Sequence, residues 1–146
     1  MKILKILSLV VFIFLLFGCV SPHNTSIELQ RKTYGPWEKE TGYVQVVQVG
    51  KTLYLSGVVS QGKTMAEQVN GVYQSIQSIL KDYKTDTSRI VKEVVYTKNI
   101  EELKKHIALR KSYFPNEQYP TSTWVEIERL YFDEFLVEVE VVVLLP

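Results

Sequence analysis

The sequence contains few of the residues that build metal sites and disulfide frameworks. Among its 146 residues there are one cysteine and two histidines. No intramolecular disulfide can therefore form, and no cluster of metal ligands with a regular spacing appears. Strong charge of one sign is also lacking, because 17 basic and 16 acidic side chains nearly balance. Non-specific nucleic-acid binding depends on a strongly positive surface. We therefore expect no metal, no cofactor and no nucleic-acid partner.

The one long apolar run lies at the N-terminus. Two lysines precede an apolar stretch over residues 6–17, which ends in Leu16-Phe-Gly-Cys19. This order is typical of a secretory signal peptide, and the run is shorter than the ~20 apolar residues that span a bilayer. The Leu-x-Gly-Cys ending resembles a bacterial lipobox. We predict a lipoprotein signal peptide over residues 1–18 and an exported protein. A buried N-terminal helix or an uncleaved anchor is the alternative.

Cys19 would then carry the lipid, because it is the only cysteine and cannot serve as a disulfide partner. Attached acyl chains would hold the protein on the periplasmic or cell-surface side of a bacterial membrane. Removal of residues 1–18 takes away two lysines and no acid, so 15 basic and 16 acidic side chains remain. Residues 19–39 are polar and rich in turn formers, which predicts a tether. Residues 40–146 are long enough for one compact domain.

The rest of the chain alternates between strand and helix patterns. A capping box at Thr64 and Glu67 starts a helix whose apolar residues share one face, and Asn99 starts a second helix that ends near Pro115. Strands are predicted over residues 43–49, 52–59, 90–96, 120–130 and 135–143. The predicted order is β-β-α-β-α-β-β. Right-handed crossovers place both helices on one face of a mixed sheet, which is a two-layer α+β domain.

The last two strands indicate which residues face the helices. Valines alternate with Glu138 and Glu140 on the final strand, and Val125 and Ile127 alternate with Trp124 and two glutamates on the strand before it. We expect the valines, together with Val125 and Ile127, to meet the helices. The second face then carries the glutamates and Trp124. A mixed face of this kind is typical of a partly solvated interface.

The same strands resemble the closing signature of the RidA family, also called YjgF/YER057c/UK114. The chain keeps its proline, its Val-Glu-Ile segment and its paired glutamates. Further matches run through the chain over about residues 40–146, at Tyr43-Val-Gln, Gly50-Lys, Leu55-Ser-Gly57, Gln68 and residues 90–96. The resemblance implies a chorismate-mutase-like fold and a homotrimer whose small-molecule sites lie between subunits.

Enzymes of this family hydrolyse reactive enamines and imines. The resemblance assigns substrate-binding roles to Tyr43, to Ser56 and Gly57 in the Ser-Gly turn, and to the segment Ser122, Thr123 and Trp124. It assigns the catalytic carboxylate to Glu138, with Glu140 as an alternative because the preceding loop has one extra residue. A glutamate in this role orients or activates the attacking water.

One family residue is missing from this site. The family's deaminases have an arginine where this chain has Ser122. A guanidinium grips a substrate carboxylate through charge-assisted hydrogen bonds, so its loss weakens imino-acid binding by roughly ten- to a hundredfold. Another arginine, such as Arg110, could reach the pocket across a subunit boundary. Two hypotheses follow: an exported hydrolase of small imines, enamines or related metabolites, or a non-catalytic trimeric ligand-binding or scaffold lipoprotein on the same fold.

Overall fold

A computed structural model describes residues 28–146. The predicted signal peptide, Cys19 and the start of the predicted tether lie outside the described residues. The strands are β1 (Leu29–Lys32), β2 (Val46–Val49), β3 (Thr52–Val58), β4 (Ile90–Thr97), β5 (Thr121–Glu126) and β6 (Val137–Leu144). The helices are α1 (Pro36–Thr41), α2 (Met65–Asp82), α3 (Ile100–Lys104) and α4 (Ile107–Lys111). Within residues 28–146 no helix has the length and apolarity needed to cross a bilayer.

The strands form one mixed sheet in the order β1-β2-β3-β6-β4-β5. β4 and β5 are parallel, and every other neighbouring pair is antiparallel. The helices pack on one face, so the predicted α+β chorismate-mutase-like fold is confirmed. The pairing of β3 with β6 shifts register between Leu55 and Val58, and Ser56 and Gly57 lie in this irregularity. The bulge therefore falls on the predicted Ser-Gly turn.

The core lies between α2 and the sheet. The inward side chains of β6 are almost fully buried in one cluster with α2, as the alternating pattern predicts: Val137, Val139, Val141 and Val143. The predicted capping box is also present. The Glu67 N–H donates to Thr64 Oγ1 (3.2 Å), and the Thr64 N–H donates to the Glu67 carboxylate (3.1 Å). Two otherwise unpaired amides are thus satisfied where the helix begins.

The predicted tether needs a correction at its end, because residues 29–41 belong to the domain. β1 pairs with β2, and α1 follows it. The buried Glu38 carboxylate accepts hydrogen bonds from the amides of Tyr34 (2.6 Å), Gly35 (2.9 Å) and Gln45 (2.6 Å). All residues of β1 are exposed, so no apolar alternation marks the strand in the sequence. Among the described residues, the domain therefore includes the chain from Leu29 onwards and not only from residue 40.

The predicted second helix is divided. Asn99 caps α3 as expected, since its side chain accepts a hydrogen bond from the Glu102 amide (2.9 Å). The chain then turns at Lys105 and His106 before α4 begins. The helical spacing of Ile100, Leu103 and Ile107 predicts that all three face inward. Ile107 is instead 42% exposed. This break brings Arg110, at the end of α4, into the buried part of the domain.

The predicted faces of β5 are reversed. The strand is in parallel register with β4, so Ser122, Trp124 and Glu126 pair with Glu93, Val95 and Thr97 respectively, which point towards the helices. Trp124 packs against the core, whereas Val125 is 37% exposed on the opposite face. The expectation that Val125 meets the helices is wrong. An edge strand with apolar residues at both alternating positions does not reveal its inward side.

Candidate functional site

The face of the sheet that points away from the helices, called here the open face, carries the predicted catalytic carboxylate. Glu138 pairs with Tyr96, and Glu140 pairs with Val94. The side chains of these paired residues emerge on the same side of the sheet, opposite to the buried valines of β6. A cavity of about 250 Å³ lies on this face and is lined in part by Glu140, Tyr54 and Lys92.

Glu138 lies directly against Gly57. A Cβ added to Gly57 would be 1.7 Å from Glu138 Oε1 and 2.5 Å from its carboxyl carbon. Gly57 lies in the bulge on β3, and only a residue without a side chain leaves room for the carboxylate there. The Ser-Gly turn therefore sets the position of the predicted catalytic group.

The surroundings of Glu138 favour its protonated form. Burial raises the pKa of the Glu138 carboxyl above its ordinary value, and the nearby negative charge of Glu140 raises it further. Burial also raises the pKa of the Tyr96 hydroxyl, with a further contribution from the charges of both glutamates. A half-buried carboxyl with a raised pKa is a stronger base than an ordinary carboxylate, and its protonated form persists to higher pH, which suits general acid–base chemistry.

On the helix side of the sheet, a buried polar network surrounds Glu93. Its carboxylate is 0% exposed and forms an ion pair with Arg110, which donates from both Nε (2.7 Å) and Nη2. The Tyr73 hydroxyl (3.0 Å) and the Ser122 hydroxyl (2.6 Å) also donate to it. Burial and the adjacent Glu93 charge raise the pKa of Tyr73, which keeps this hydroxyl protonated as a donor. The network is closed, since both carboxylate oxygens are satisfied.

Ser122 and Trp124 cover this network at the edge of the sheet. The indole Nε1 of Trp124 donates to Ser122 Oγ (2.8 Å). The Arg110 guanidinium lies 5.8 Å from the centre of the Trp124 ring and 4.8 Å from that of Phe114. Ser122 itself is exposed. An arginine is therefore present close to the position where the family's deaminases have theirs, but it comes from α4 and is bound to a carboxylate of the same chain.

The remaining predicted residues lie elsewhere. Tyr43 is partly exposed, and its hydroxyl accepts a hydrogen bond from Trp37 Nε1 (3.0 Å). It lines a cleft of about 660 Å³ beside α1. The Ser56 hydroxyl donates to the Val44 carbonyl (2.8 Å), so it is committed to holding β3 against the preceding chain. Thr123 is exposed on the open face.

A single chain brings the predicted site residues together only in part. Gly57 and Glu138 touch on the open face, whereas Ser122 and Trp124 touch on the helix side.

Sequence reasoning missed Glu93. A signal for it exists, because Glu93 stands at an inward position of β4 together with Val95, and a charged inward residue requires a partner. Within residues 28–146 no group of three or more potential metal ligands comes together.

Known structures share this fold over most of the chain. A YjgF/YER057c/UK114 family member from Mycobacterium tuberculosis superposes with a TM-score of 0.74 at 20% identity, covering 81% of this chain and 100% of that one. A YjgF family protein from Neisseria meningitidis gives 0.73 at 21% identity, with 82% and 97% covered. A Rid family protein of unknown function from Yersinia pestis gives 0.67 at 24% identity, with 77% and 90% covered. No curated protein matches the chain significantly.

The sequence itself matches one family model, described as endoribonuclease L-PSP, over residues 36–145. This match covers nearly all of the described chain and begins at α1. The model and the solved structures agree with the resemblance carried by the sequence motifs. The chain therefore belongs to the endoribonuclease L-PSP family, and its predicted membership of the RidA (YjgF/YER057c/UK114) proteins is confirmed.

Proposed function

We propose that the protein hydrolyses small reactive imines or enamines that lack a carboxylate, with Glu138 as the group that moves protons. The observation that carries this proposal is the placement of the Glu138 carboxylate against Gly57, half-buried and with a raised pKa. A carboxylate in such surroundings is a stronger base than one in water, and its protonated form persists to higher pH than that of an ordinary carboxyl.

The reaction needs one base and one acid in turn. Glu138 takes a proton from water as the water oxygen attacks the carbon of the C=N bond, and it returns this proton to the nitrogen, which gives a carbinolamine. The carboxylate then takes the proton of the carbinolamine hydroxyl and delivers it to the nitrogen as the C–N bond breaks, and the products are a carbonyl compound and ammonia. An enamine enters the same route after it tautomerises to the imine. No oxidant, metal or cofactor is needed to balance these steps.

The proposed active form is a homotrimer with sites between subunits. Ser122 and Glu138 lie on opposite faces of one sheet, so a cleft that uses both residues needs two chains. The open face supports such an assembly because it exposes large apolar side chains, among them Tyr54 (49%), Val125 (37%) and Leu144 (43%). A β-sheet face of this composition is more often covered than solvated.

A second candidate is a trimeric ligand-binding or scaffold protein without catalysis. The Glu93 network favours it, because the Ser122 hydroxyl and the Nε and Nη2 groups of Arg110 donate to Glu93 within the chain. The description of the family model names an endoribonuclease, but the structure gives less support to cleavage of RNA than to the two candidates above. RNA binding depends on a positive field, and the open face carries Glu138 and Glu140.

Hydrolysis of a carboxylate-free imine tests the proposal directly. A flavin-dependent amine oxidase releases an aldimine from a primary amine, and a flavin-dependent amino-acid oxidase releases a 2-imino acid. The rate of ammonia release is measured with and without the purified protein. We expect acceleration with the aldimine and a smaller effect with the 2-imino acid. Activity on neither compound would favour the scaffold alternative, provided that the protein is folded and trimeric.

The membrane location is a separate part of the proposal. We place the mature protein on the outer side of a bacterial cell membrane, held by a lipid on Cys19. The support is the order of features in residues 1–19. Mass spectrometry of the purified mature N-terminus is the test. The expected result is an N-terminal cysteine carrying acyl chains, and an unmodified N-terminus at Met1 would contradict it.

A further inference from the structure

The hydrogen-bond donors of Ser122 and Trp124 are already used. The Ser122 hydroxyl donates to Glu93, the Trp124 indole N–H donates to Ser122, and Arg110 donates to Glu93 through Nε and Nη2. An indole has one donor and a hydroxyl has one, so neither has a hydrogen left for a ligand. An anion arriving at this position would find no free donor on Ser122 or Trp124.

The charge at this position is also balanced. Arg110 supplies one positive charge, and Glu93 supplies one negative charge in direct contact with it. Both side chains are buried, at 9% and 0% exposure. A substrate carboxylate would have to compete with the Glu93 carboxylate for Arg110. Glu93 is part of the same chain, so its contact with Arg110 does not cost the translational and rotational freedom that a free ligand loses on binding. Glu93 thus pairs with Arg110 in the way that a substrate carboxylate otherwise would.

The Ser122 hydroxyl oxygen can still accept a hydrogen bond. Ser122 Oγ accepts one hydrogen bond from Trp124 and has a second lone pair free. Ser122 is exposed and Trp124 is partly exposed, so both can be reached from solvent. The flat indole offers a surface for a planar group next to that lone pair. A planar, uncharged group with an N–H or O–H donor therefore suits this position.

We infer that Glu93 and Arg110 determine the specificity of the site at Ser122, so that it accepts an uncharged hydrogen-bond donor such as a carboxamide and disfavours a carboxylate. This inference rests on the proposed function in that it names the substrate class of the same site. Arg110 of the same chain lies near this position, and the Glu93 carboxylate neutralises its charge.

Pyruvate and pyruvamide are a matched pair of probes, because they differ only in carboxylate versus carboxamide and resemble the reaction product. Binding of each to the purified full chain is measured by calorimetry or NMR titration. We expect the protein to bind pyruvamide more tightly, by about two- to tenfold, which is the effect of one hydrogen bond between uncharged groups. Equal affinities, or tighter binding of pyruvate, would overturn the inference.

Variants test whether Glu93 is responsible. In Glu93→Gln the Arg110 charge is no longer neutralised, and pyruvate should gain about tenfold relative to pyruvamide. The control Glu93→Gln/Arg110→Gln removes both charges and should show no such gain. Should the buried substitutions prevent folding, Ser122→Arg adds a guanidinium at an exposed position and is expected to give the same reversal.

The outcomes separate this inference from the proposed function. Hydrolysis of the carboxylate-free imine together with equal affinities for the two probes would overturn the inference alone. A clear preference for pyruvamide without any hydrolysis would support the inference and contradict the proposed hydrolase activity. Absence of binding by both probes to every folded variant would overturn the inference.

Discussion

Ser122 and Glu138 lie on opposite faces of the same sheet. Ser122 is paired with Glu93 beneath the helices, whereas Glu138 is paired with Tyr96 on the open face. The family resemblance assigns both residues to one site. In a single chain the sheet separates them, so the proposed site has to combine Ser122 of one subunit with Glu138 of another. Assembly is therefore a condition of the proposed activity.

Glu138→Gln should abolish most of the hydrolysis. The amide keeps the shape of the side chain but cannot take a proton from water, and loss of a general base costs about 10²–10⁴-fold in rate. Glu140→Gln, two residues along the same face, is the matched control and should retain activity at a pH where Glu138 is ionised. A larger loss for Glu140→Gln than for Glu138→Gln would reassign the active carboxylate to Glu140. Both variants are compared in the aldimine assay.

The pH dependence of the rate should report the raised pKa of Glu138. The base must be ionised, so the rate falls as the pH decreases through its pKa, and burial places this fall above the ordinary carboxyl value of 4.5. Removing the Glu140 charge in Glu140→Gln lowers the pKa of Glu138, so the acidic limb should move to lower pH. The profile of kcat/KM against pH measures both effects. A limb that does not move would show that the two carboxylates are not coupled.

Gly57→Ala should reduce activity by displacing the carboxylate. The added Cβ would lie 1.7 Å from Glu138 Oε1, so the Glu138 side chain must leave its position. We expect a loss that approaches that of Glu138→Gln, with kcat affected more than KM. Ser56→Ala is the control in the adjacent position, because the Ser56 hydroxyl contacts the Val44 carbonyl and not Glu138. Full activity in Gly57→Ala would contradict the positioning role of the turn.

Removal of one partner of the Glu93–Arg110 ion pair should destabilise the protein far more than removal of both, as measured by urea denaturation. Glu93→Ala leaves the Arg110 charge buried without its partner, which is expected to cost about 3–5 kcal/mol in the free energy of unfolding. The double variant Glu93→Leu/Arg110→Met removes both charges at similar volume and should lie much closer to the wild type. If the double variant is as unstable as Glu93→Ala, the ion pair contributes through packing rather than charge.

Elements with a regular pattern could be predicted from the sequence. The valines of β6 alternate with glutamates, and their inward burial follows from the two-residue period of a strand. The capping box at Thr64 marks where α2 begins, because its side chains act on neighbouring amides in the chain. In both cases the decisive interactions lie within a few residues of one another or repeat regularly.

Features that depend on distant partners could not be predicted in this way. β1 has no buried residue, and what holds the segment after it is the Glu38 carboxylate, which reaches the amide of Gln45. The inward side of β5 is set by its register with β4, which the sequence of β5 alone does not contain. The pairing of Glu93 with Arg110 joins a strand to a helix across 17 positions. Each of these required the tertiary structure.

Mixing of two inactive variants tests the shared site most directly. Glu138→Gln lacks the base, and Ser122→Trp fills the cleft at the other half of the site. When the two variants are co-expressed, a site is intact wherever Glu138 from one variant meets Ser122 from the other. We expect recovery of about a quarter of wild-type activity for random assembly of a cyclic trimer. Mixed trimers with no activity, formed from subunits that are each folded, would contradict a site shared between subunits.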